Sequence, residues 1–331
     1  MKTATHLFVT LLLILFSHSL MAFCVVEREM SGFELQTLTS SPKEIFIRVK
    51  DRYKPLKDYN NLKKIQSYSI QILPQRKDPR NYNDRYLNYY DYKRMQDYLA
   101  TLESPLKEYD YTQKVLGRSL EGRNLYAFWP NVFNREKETI VIFGRQHGDE
   151  GTANWIIEGL LNQMFKSDQA SDFHKNYQVF VYPFINPDGA ENHSRYNQAR
   201  QDLNRVWGKR PERDQNEVYF IYKHLEEKLL DNKKPVIVLD MHGSFTDDFI
   251  YRVYPRKFGK SYYNNQSEFI ETLGSFDPWQ NGNFIHSNGN PGMSRIRLAS
   301  KHDLHSLTHE TPRDIPRHSD RSVVSLKDQG V

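Results

Sequence analysis

The sequence predicts an α/β fold, a mostly parallel sheet covered by helices on both faces. Three observations carry that reading. TIVIF at 139–143 and PVIVLD at 235–240 are short uninterrupted apolar runs, the pattern of strands buried on both sides. TANWIIEGLLNQMF and NEVYFIYKHLEEKLL, which follow or precede such runs, have helical spacing. Strands and helices alternate from about residue 89 onward, which implies crossovers between parallel strands.

The elements follow in chain order. The opening MKTATH carries one lysine, LFVTLLLILF is apolar throughout but for one threonine, and SHSLMA supplies small residues before a cut near Ala22. This is the pattern of an export signal, so residues 1–22 read as a signal peptide and the mature protein as secreted or periplasmic. The apolar run is too short to span a bilayer comfortably, so no stable membrane span is expected after its removal. Cys24 is the only cysteine, which excludes an internal disulfide and a cysteine-based zinc site. Any metal must be held by His, Asp or Glu.

Residues 23–88 form a separate basic, tyrosine-rich segment. EIFIRV and QSYSIQIL alternate as strands do, and RKDPRNYNDRY reads as a loop or linker. Basic residues with interleaved aromatics also occur on nucleic-acid surfaces. Behind an export signal they read as the solvated face of a small N-terminal unit, so no nucleic-acid partner is expected.

From residue 89 to 331 the pattern is regular. DYKRMQDYLATLE places Met95, Leu99 and Leu102 on one helical face. YTQKVLGRSLEGRNLYAFWP reads as two strands joined by a turn at Glu121-Gly122. The strand TIVIF, the helix TANWIIEGLLNQMF, the strand YQVFVYPFI from Tyr177 to Ile185, an amphipathic helix and the strand PVIVLD complete the series. No internal repeat or low-complexity tract interrupts it.

Chemistry collects at the strand ends. His147 and Glu150, in GRQHGDEG, follow TIVIF, and His242 follows PVIVLD in LDMHGS. Two imidazoles and one carboxylate make the three-ligand set of an open zinc site, with water in the fourth position. A second H-x-x-E, His224 with Glu227, lies inside an amphipathic helix and reads as a solvated helix face. Arginines near the first site suit a substrate bearing negative charge, because a guanidinium binds carboxylate through two parallel hydrogen bonds. Glu310, in SLTHETP, is the candidate general base.

HGDE at 147–150, NPDG at 186–189, Arg195 and Asn197 followed by DLNR at 202–205, DMH at 240–242 and HETP at 309–312 occur in one order. That order resembles the zinc metallocarboxypeptidases, the carboxypeptidase A-like peptidases, over roughly Tyr89 to Pro312. His₂Glu is also the ligand set of carboxypeptidase A. The resemblance implies a mixed eight-stranded sheet between helices and one zinc ion held by His147, Glu150 and His242. It implies that Asp202 orients His147, that Arg195 stabilises the oxyanion, and that Glu310 is the base. Asn204 and Arg205 would grip the terminal carboxylate of a peptide substrate.

The sequence departs from that family in several places. The tyrosine that closes over substrate before the catalytic Glu has no counterpart after Tyr263, and His286, in the corresponding stretch, reads as a surface-loop histidine. Arg200 stands where glycine is common. The segment after Glu310 is short for the family's packed C-terminal helix. Counting back from Glu310 brings Arg295 to the base of the specificity pocket, which implies an acidic C-terminal residue in the substrate. A gap in that count would turn Arg295 to solvent. Two other readings stay open at this point: a zinc acylase or deacylase of the aspartoacylase or succinylglutamate desuccinylase type, and an inactive peptide-binding relative.

Overall fold

The computed structural model describes residues 90–207, 216–230, 235, 237–245, 247–313 and 321–331, with the backbone of four strands between 25 and 72. By compactness the chain divides into two units, Met1–Asn81 and Tyr82–Val331. In the first, β1 (Val25–Glu27), β2 (Ile45–Val49), β3 (Arg52–Pro55) and β4 (Ser69–Ile72) pair antiparallel in the order β1-β4-β2-β3. The strands expected in EIFIRV and QSYSIQIL are β2 and β4. The expected signal peptide, Cys24 and the linker RKDPRNYNDRY lie outside the described residues.

The second unit begins with α1 (Tyr92–Ala100) and α2 (Glu103–Glu108). A single helix was expected there, but the chain breaks at Thr101, whose hydroxyl bonds back to the Tyr98 carbonyl at 2.7 Å. Met95, Leu99 and Leu102 are nevertheless all buried. The hairpin of β5 (Tyr111–Arg118) and β6 (Asn124–Pro130) turns through Gly122, whose φ of +81° favours glycine. Then come β7 (Glu138–Gly144), α3 (Thr152–Lys166), α4 (Ala170–Asn176) and β8 (Tyr177–Tyr182). Next are α5 (Pro187–Glu191), a 3₁₀ turn at Leu203–Arg205, α6 (Glu217–Leu225), which runs into a π turn at Glu226–Leu230, and β9 (Ile237–Ser244). The chain continues with β10 (Phe249–Arg252), α7 (Pro255–Phe258), α8 (Lys260–Phe276) and β11 (Phe284–His286). Last are α9 (Ser294–His302), β12 (Ser306–Pro312) and α10 (Val323–Gln329).

Eight strands form one sheet in the order β11-β10-β12-β9-β7-β8-β6-β5. The central four, β12, β9, β7 and β8, run parallel, while β10 and β6 pair antiparallel with the outer two of them. This is the mixed eight-stranded sheet between helices that was expected. One face buries Trp155, Leu161 and Phe165 of α3 with Met95 and Leu99 of α1. The other buries Trp207 with Val218, Tyr222 and Leu225 of α6 and Leu298 of α9. No helix of the described residues is long and apolar enough to cross a membrane.

After β12 the chain returns to pack on α3. A Cβ on Gly159 would lie 1.9 Å from the Lys327 carbonyl oxygen, and one on Gly330 2.2 Å from that of Ile156, so α10 meets α3 backbone to backbone. Lys327 also reaches Glu158 at 2.7 Å, a carboxylate that Arg94 and Tyr90 already hold. The helix that carries the HGDE loop at its N-terminus is thereby braced by the C-terminal segment.

Candidate metal centre

The strand β7 lies between its successors β8 and β9 in the sheet, so the winding reverses at its C-terminal end. Crevices of open α/β sheets form at such reversals, and HGDE occupies this one. Two motif loops meet there: the Asn186 side chain accepts from the Gly189 N–H at 2.9 Å and shapes NPDG into the first turn of α5. Asp188, fully buried, binds Ser119 at 2.6 Å and Arg123 at 2.7 Å, which ties NPDG to the β5–β6 hairpin. The sequence alternation of β9 puts His242 inside that strand rather than after it, with Asp240 on the same face.

His147, Glu150 and His242 converge, with one ligand atom from each inside 4.8 Å of the others, and all three are buried. His147 Nδ1 lies 2.9 Å from Glu150 Oε1 and 3.0 Å from His242 Nδ1, and His242 Nδ1 is 2.9 Å from Glu150 Oε2. The opposite nitrogens are held by carboxylates: His147 Nε2 faces Asp202 at 3.0 Å and His242 Nε2 faces Asp240 at 3.1 Å. With both Nε2 atoms protonated toward those acids, each Nδ1 presents a lone pair. Two lone pairs and a carboxylate aimed at one point repel unless a cation stands between them. The donor set therefore fits zinc, and carboxylate–histidine pairing is the usual support of such ligands.

The surrounding groups fix this arrangement. Gln146 donates to both Asp240 oxygens at 2.7 Å and accepts from the Trp207 indole at 2.7 Å, while the Ser294 hydroxyl also bonds Asp240. Burial pushes Asp240 up, but His242, Ser294 and Gln146 outweigh it and hold its carboxyl below the ordinary range. Burial likewise opposes ionisation of Glu150, and the facing imidazoles hold it well below. Asp202 is similarly depressed against its own burial by His147 and Arg195. Sequence reading singled out Asp202 but missed Asp240, Gln146 and Ser294. The D-x-H spacing in LDMH was the available signal for Asp240, and no local pattern marks the other two.

Glu310 lies inside β12, paired in register with His242 on one side and Phe249 on the other. Paired residues share a sheet face, so its carboxyl stands on the face of the metal candidates. It has no hydrogen-bond partner among the described residues. Burial, reinforced by the charge of Glu150, raises its pKa to about 7. Arg195 Nε donates to Asp202 at 3.0 Å and its Nη1 to Glu150 at 3.4 Å, leaving the guanidinium a third exposed at the mouth of the site. Asn204 is held by its Oδ1, which accepts from the Ser294 N–H at 2.9 Å, while its Nδ2 stands 3.2 Å from the protonated His242 Nε2, where it finds no acceptor. Arg205 donates to the Asn204 carbonyl at 2.8 Å and is half-buried. A further guanidinium, Arg313, pairs with Asp149 at 2.5 Å and stacks under Phe245.

Three expectations are settled by position. His224 is not on a solvated face: it is buried, 2.8 Å from the Tyr182 hydroxyl and packed against Trp129, because the β6 and β8 side chains cover that flank of α6. Only Glu227 of that pair is exposed, and neither joins the metal candidates. His286 ends β11 and stacks between Tyr254 and Tyr263, rather than standing in a loop. Arg295 does not face solvent; it is 3% exposed, with Nη2 donating to the Ser287 carbonyl at 3.0 Å and its guanidinium over the Tyr251 ring at 5.3 Å. Arg200 adopts a φ of +59°, which accounts for a position that suits glycine.

Comparison with known proteins shows which family and which solved folds the chain resembles. The family model described as zinc carboxypeptidase matches residues 95–244. Cytosolic carboxypeptidase 2 of Mus musculus is 28% identical over 163 residues, covering 46% of this chain and 19% of its own length. A metallo-carboxypeptidase structure from Burkholderia cenocepacia superposes with a TM-score of 0.66 at 18% identity, over 93% of this chain and 83% of that one. A metallo-carboxypeptidase of Pseudomonas aeruginosa, in complex with (2-guanidinoethylmercapto)succinic acid, gives 0.64 at 19% identity over 94% and 83%. At such identities the structures speak for the fold. The chain spans about half the length, or less, of the curated relatives it matches first. The fold is thus that of known metallo-carboxypeptidase structures, and residues 95–244, a little under half of the chain, resemble the zinc carboxypeptidase family.

Proposed function

We propose that this protein is a zinc-dependent carboxypeptidase that removes C-terminal residues from peptides. The observation that carries the proposal is the register of β12 on β9, which sets the unpartnered Glu310 carboxyl beside His242. His147, Glu150 and His242 would hold one zinc ion, which supplies a Lewis acid for the scissile carbonyl and lowers the pKa of water. Glu310, whose pKa is raised to about 7, in its ionised form accepts the proton of the attacking water and passes it to the leaving amine. Arg195, oriented by Asp202, lies where it can share the charge that develops on the carbonyl oxygen. Arg205 reads the substrate's terminal carboxylate, and Asn204 Nδ2, a donor without an acceptor on the protonated His242 Nε2, joins it. Asp202 and Asp240 keep the two imidazoles in the tautomer that leaves Nδ1 free. The segment 1–22 supports action outside the cytosol, as a secreted or periplasmic enzyme.

The test is a mass-resolved assay on a peptide library, free acids beside their C-terminal amides, with and without a chelator. Stepwise loss of C-terminal residues from the acids alone, abolished by chelation and lowered at least ~10²-fold by Glu310→Gln at unchanged zinc content, is expected. Equal cleavage of acids and amides, or hydrolysis confined to N-acyl amino acids, would replace the carboxypeptidase reading with an amidase or acylase one. Peptide binding without turnover would leave a binding protein.

A further inference from the structure

Arg145, directly after β7, has a φ of +59°, a left-handed backbone that residues other than glycine adopt rarely. Its side chain does not leave for solvent: it is 1% exposed and folds back beneath the HGDE loop. Nε donates to the Gly148 carbonyl at 3.0 Å and Nη1 to Asn154 Oδ1 at 3.1 Å, while the guanidinium carbon lies 5.2 Å from the centre of the Phe184 ring. The Arg145 carbonyl accepts from the Asn186 N–H at 2.9 Å, so the residue also joins the NPDG loop. Nη2 is buried with no hydrogen-bond partner among the described residues. No carboxylate among them pairs directly with this cation.

A strained backbone and a desolvated guanidinium both cost stability, and glycine at this position would relieve them together. Both are spent under the peptide that separates His147 from Asp149. Resting on the metal reading of His147, Glu150 and His242, we propose that Arg145 is a positioning residue for the zinc-binding loop. Its donation to the Gly148 carbonyl fixes that peptide and so sets where His147 Nδ1 and the Glu150 carboxylate point. Its bond to Asn154 anchors the same guanidinium to the first turn of α3, and Asn154 is itself tied to the Pro183 carbonyl at 3.0 Å.

The experiment uses zinc itself. Metal-free wild type, Arg145→Gly and Arg145→Lys are titrated with zinc against a chromophoric chelator, and their metal-free thermal unfolding is recorded beside it. Arg145→Gly should bind zinc about 10- to 100-fold more weakly, the scale for supports of metal ligands. Arg145→Lys, which keeps the charge but loses the fork, should fall between the two. In the cobalt-substituted proteins the visible d–d bands should shift in Arg145→Gly, a sign of altered ligand placement that a purely structural role would not give. Zinc affinity within about twofold of wild type, with unshifted bands, would overturn the proposal. If the glycine variant does not fold, the lysine variant decides alone by the same criterion. A wild type that binds no zinc would instead overturn the metal reading beneath it.

Discussion

Gly148 and Gly189 touch through their backbones: a Cβ on Gly148 would lie 2.0 Å from the Gly189 carbonyl carbon. The loop that carries His147 and Glu150 is therefore seated on the loop that carries Asp188, with no room for a side chain between them. Gly148→Ala must push one loop off the other, and the neighbouring atoms are backbone, which cannot rotate away. The expected cost is at least about 2 kcal/mol of unfolding free energy, together with weaker zinc binding. Urea unfolding and metal analysis would check both, and a fully stable, zinc-loaded Gly148→Ala would show that the two loops are free to separate.

The two H-x-x-E pairs make a matched comparison. His147→Ala removes a candidate ligand and should leave the purified protein with little zinc. His224→Ala removes a core ring that packs on Trp129 and bonds the Tyr182 hydroxyl, so it should retain zinc but unfold at lower temperature. Zinc analysis beside thermal melts separates the two effects. Equal zinc content in both variants would refute the ligand assignment.

Much of this centre was legible in the chain. Strands buried on both faces are written as unbroken apolar runs, so polar groups just beyond them, such as His147 and Glu150, stand out. His242 was legible for the same reason, although it proved to lie within β9. The missing parts are those that distant segments supply. Gln146 after β7, Trp207 after the 3₁₀ turn and Ser294 at the start of α9 come from distant segments and meet only around Asp240. His224 was misplaced because the amphipathic pattern of α6 is local, while its cover comes from β6 and β8. Arg313 and Tyr251 carry no motif; they enter because β12 brings Pro312 beside Ser244 and Thr308 beside Tyr251.

Two buried histidines away from the site predict how stability responds to acid. His174, packed against Tyr109 and Phe165, and His224 each have a pKa lowered from 6.5 to about 4 by burial. The folded pKa lies below the unfolded one, so the unfolded chain takes up these protons first as pH falls. Their neutral forms thus favour folding fully above about pH 6.5, and that contribution is lost progressively toward pH 4. The loss is on the order of 1 kcal/mol for each by pH 5. Urea midpoints of metal-free wild type and His224→Gln at pH 7.5 and 5 would check it. The glutamine variant should lose less on acidification, and an identical loss would mean that His224 titrates normally.

Arg295 offers the sharpest prediction on substrate. It is the second residue of α9, and its neighbour Ser294 is fixed on Asp240, so the helix start is pinned to the site. From there the guanidinium enters between Tyr251 and the 287–289 loop, where Gly289 leaves it space: a Cβ there would lie 2.9 Å from Arg295 Nη2. No carboxylate among the described residues pairs with it, yet Tyr251 and Glu310 lie close enough to act on its charge. A buried guanidinium with one carbonyl and one ring for company lacks the anion that would offset its desolvation. The side chain of a C-terminal Asp or Glu, entering beside Glu310, would supply that anion through a bidentate pair. Free-acid peptides ending in Glu should therefore be cleaved faster than those ending in Leu or Lys, by about tenfold or more. Arg295→Asp should invert the order, favouring Lys over Glu, while leaving zinc content unchanged. Competition between otherwise identical peptides, read as kcat/KM ratios, is the measurement. A wild-type preference for Leu or Lys, or a Glu preference that survives the charge reversal, would remove Arg295 from the substrate pocket.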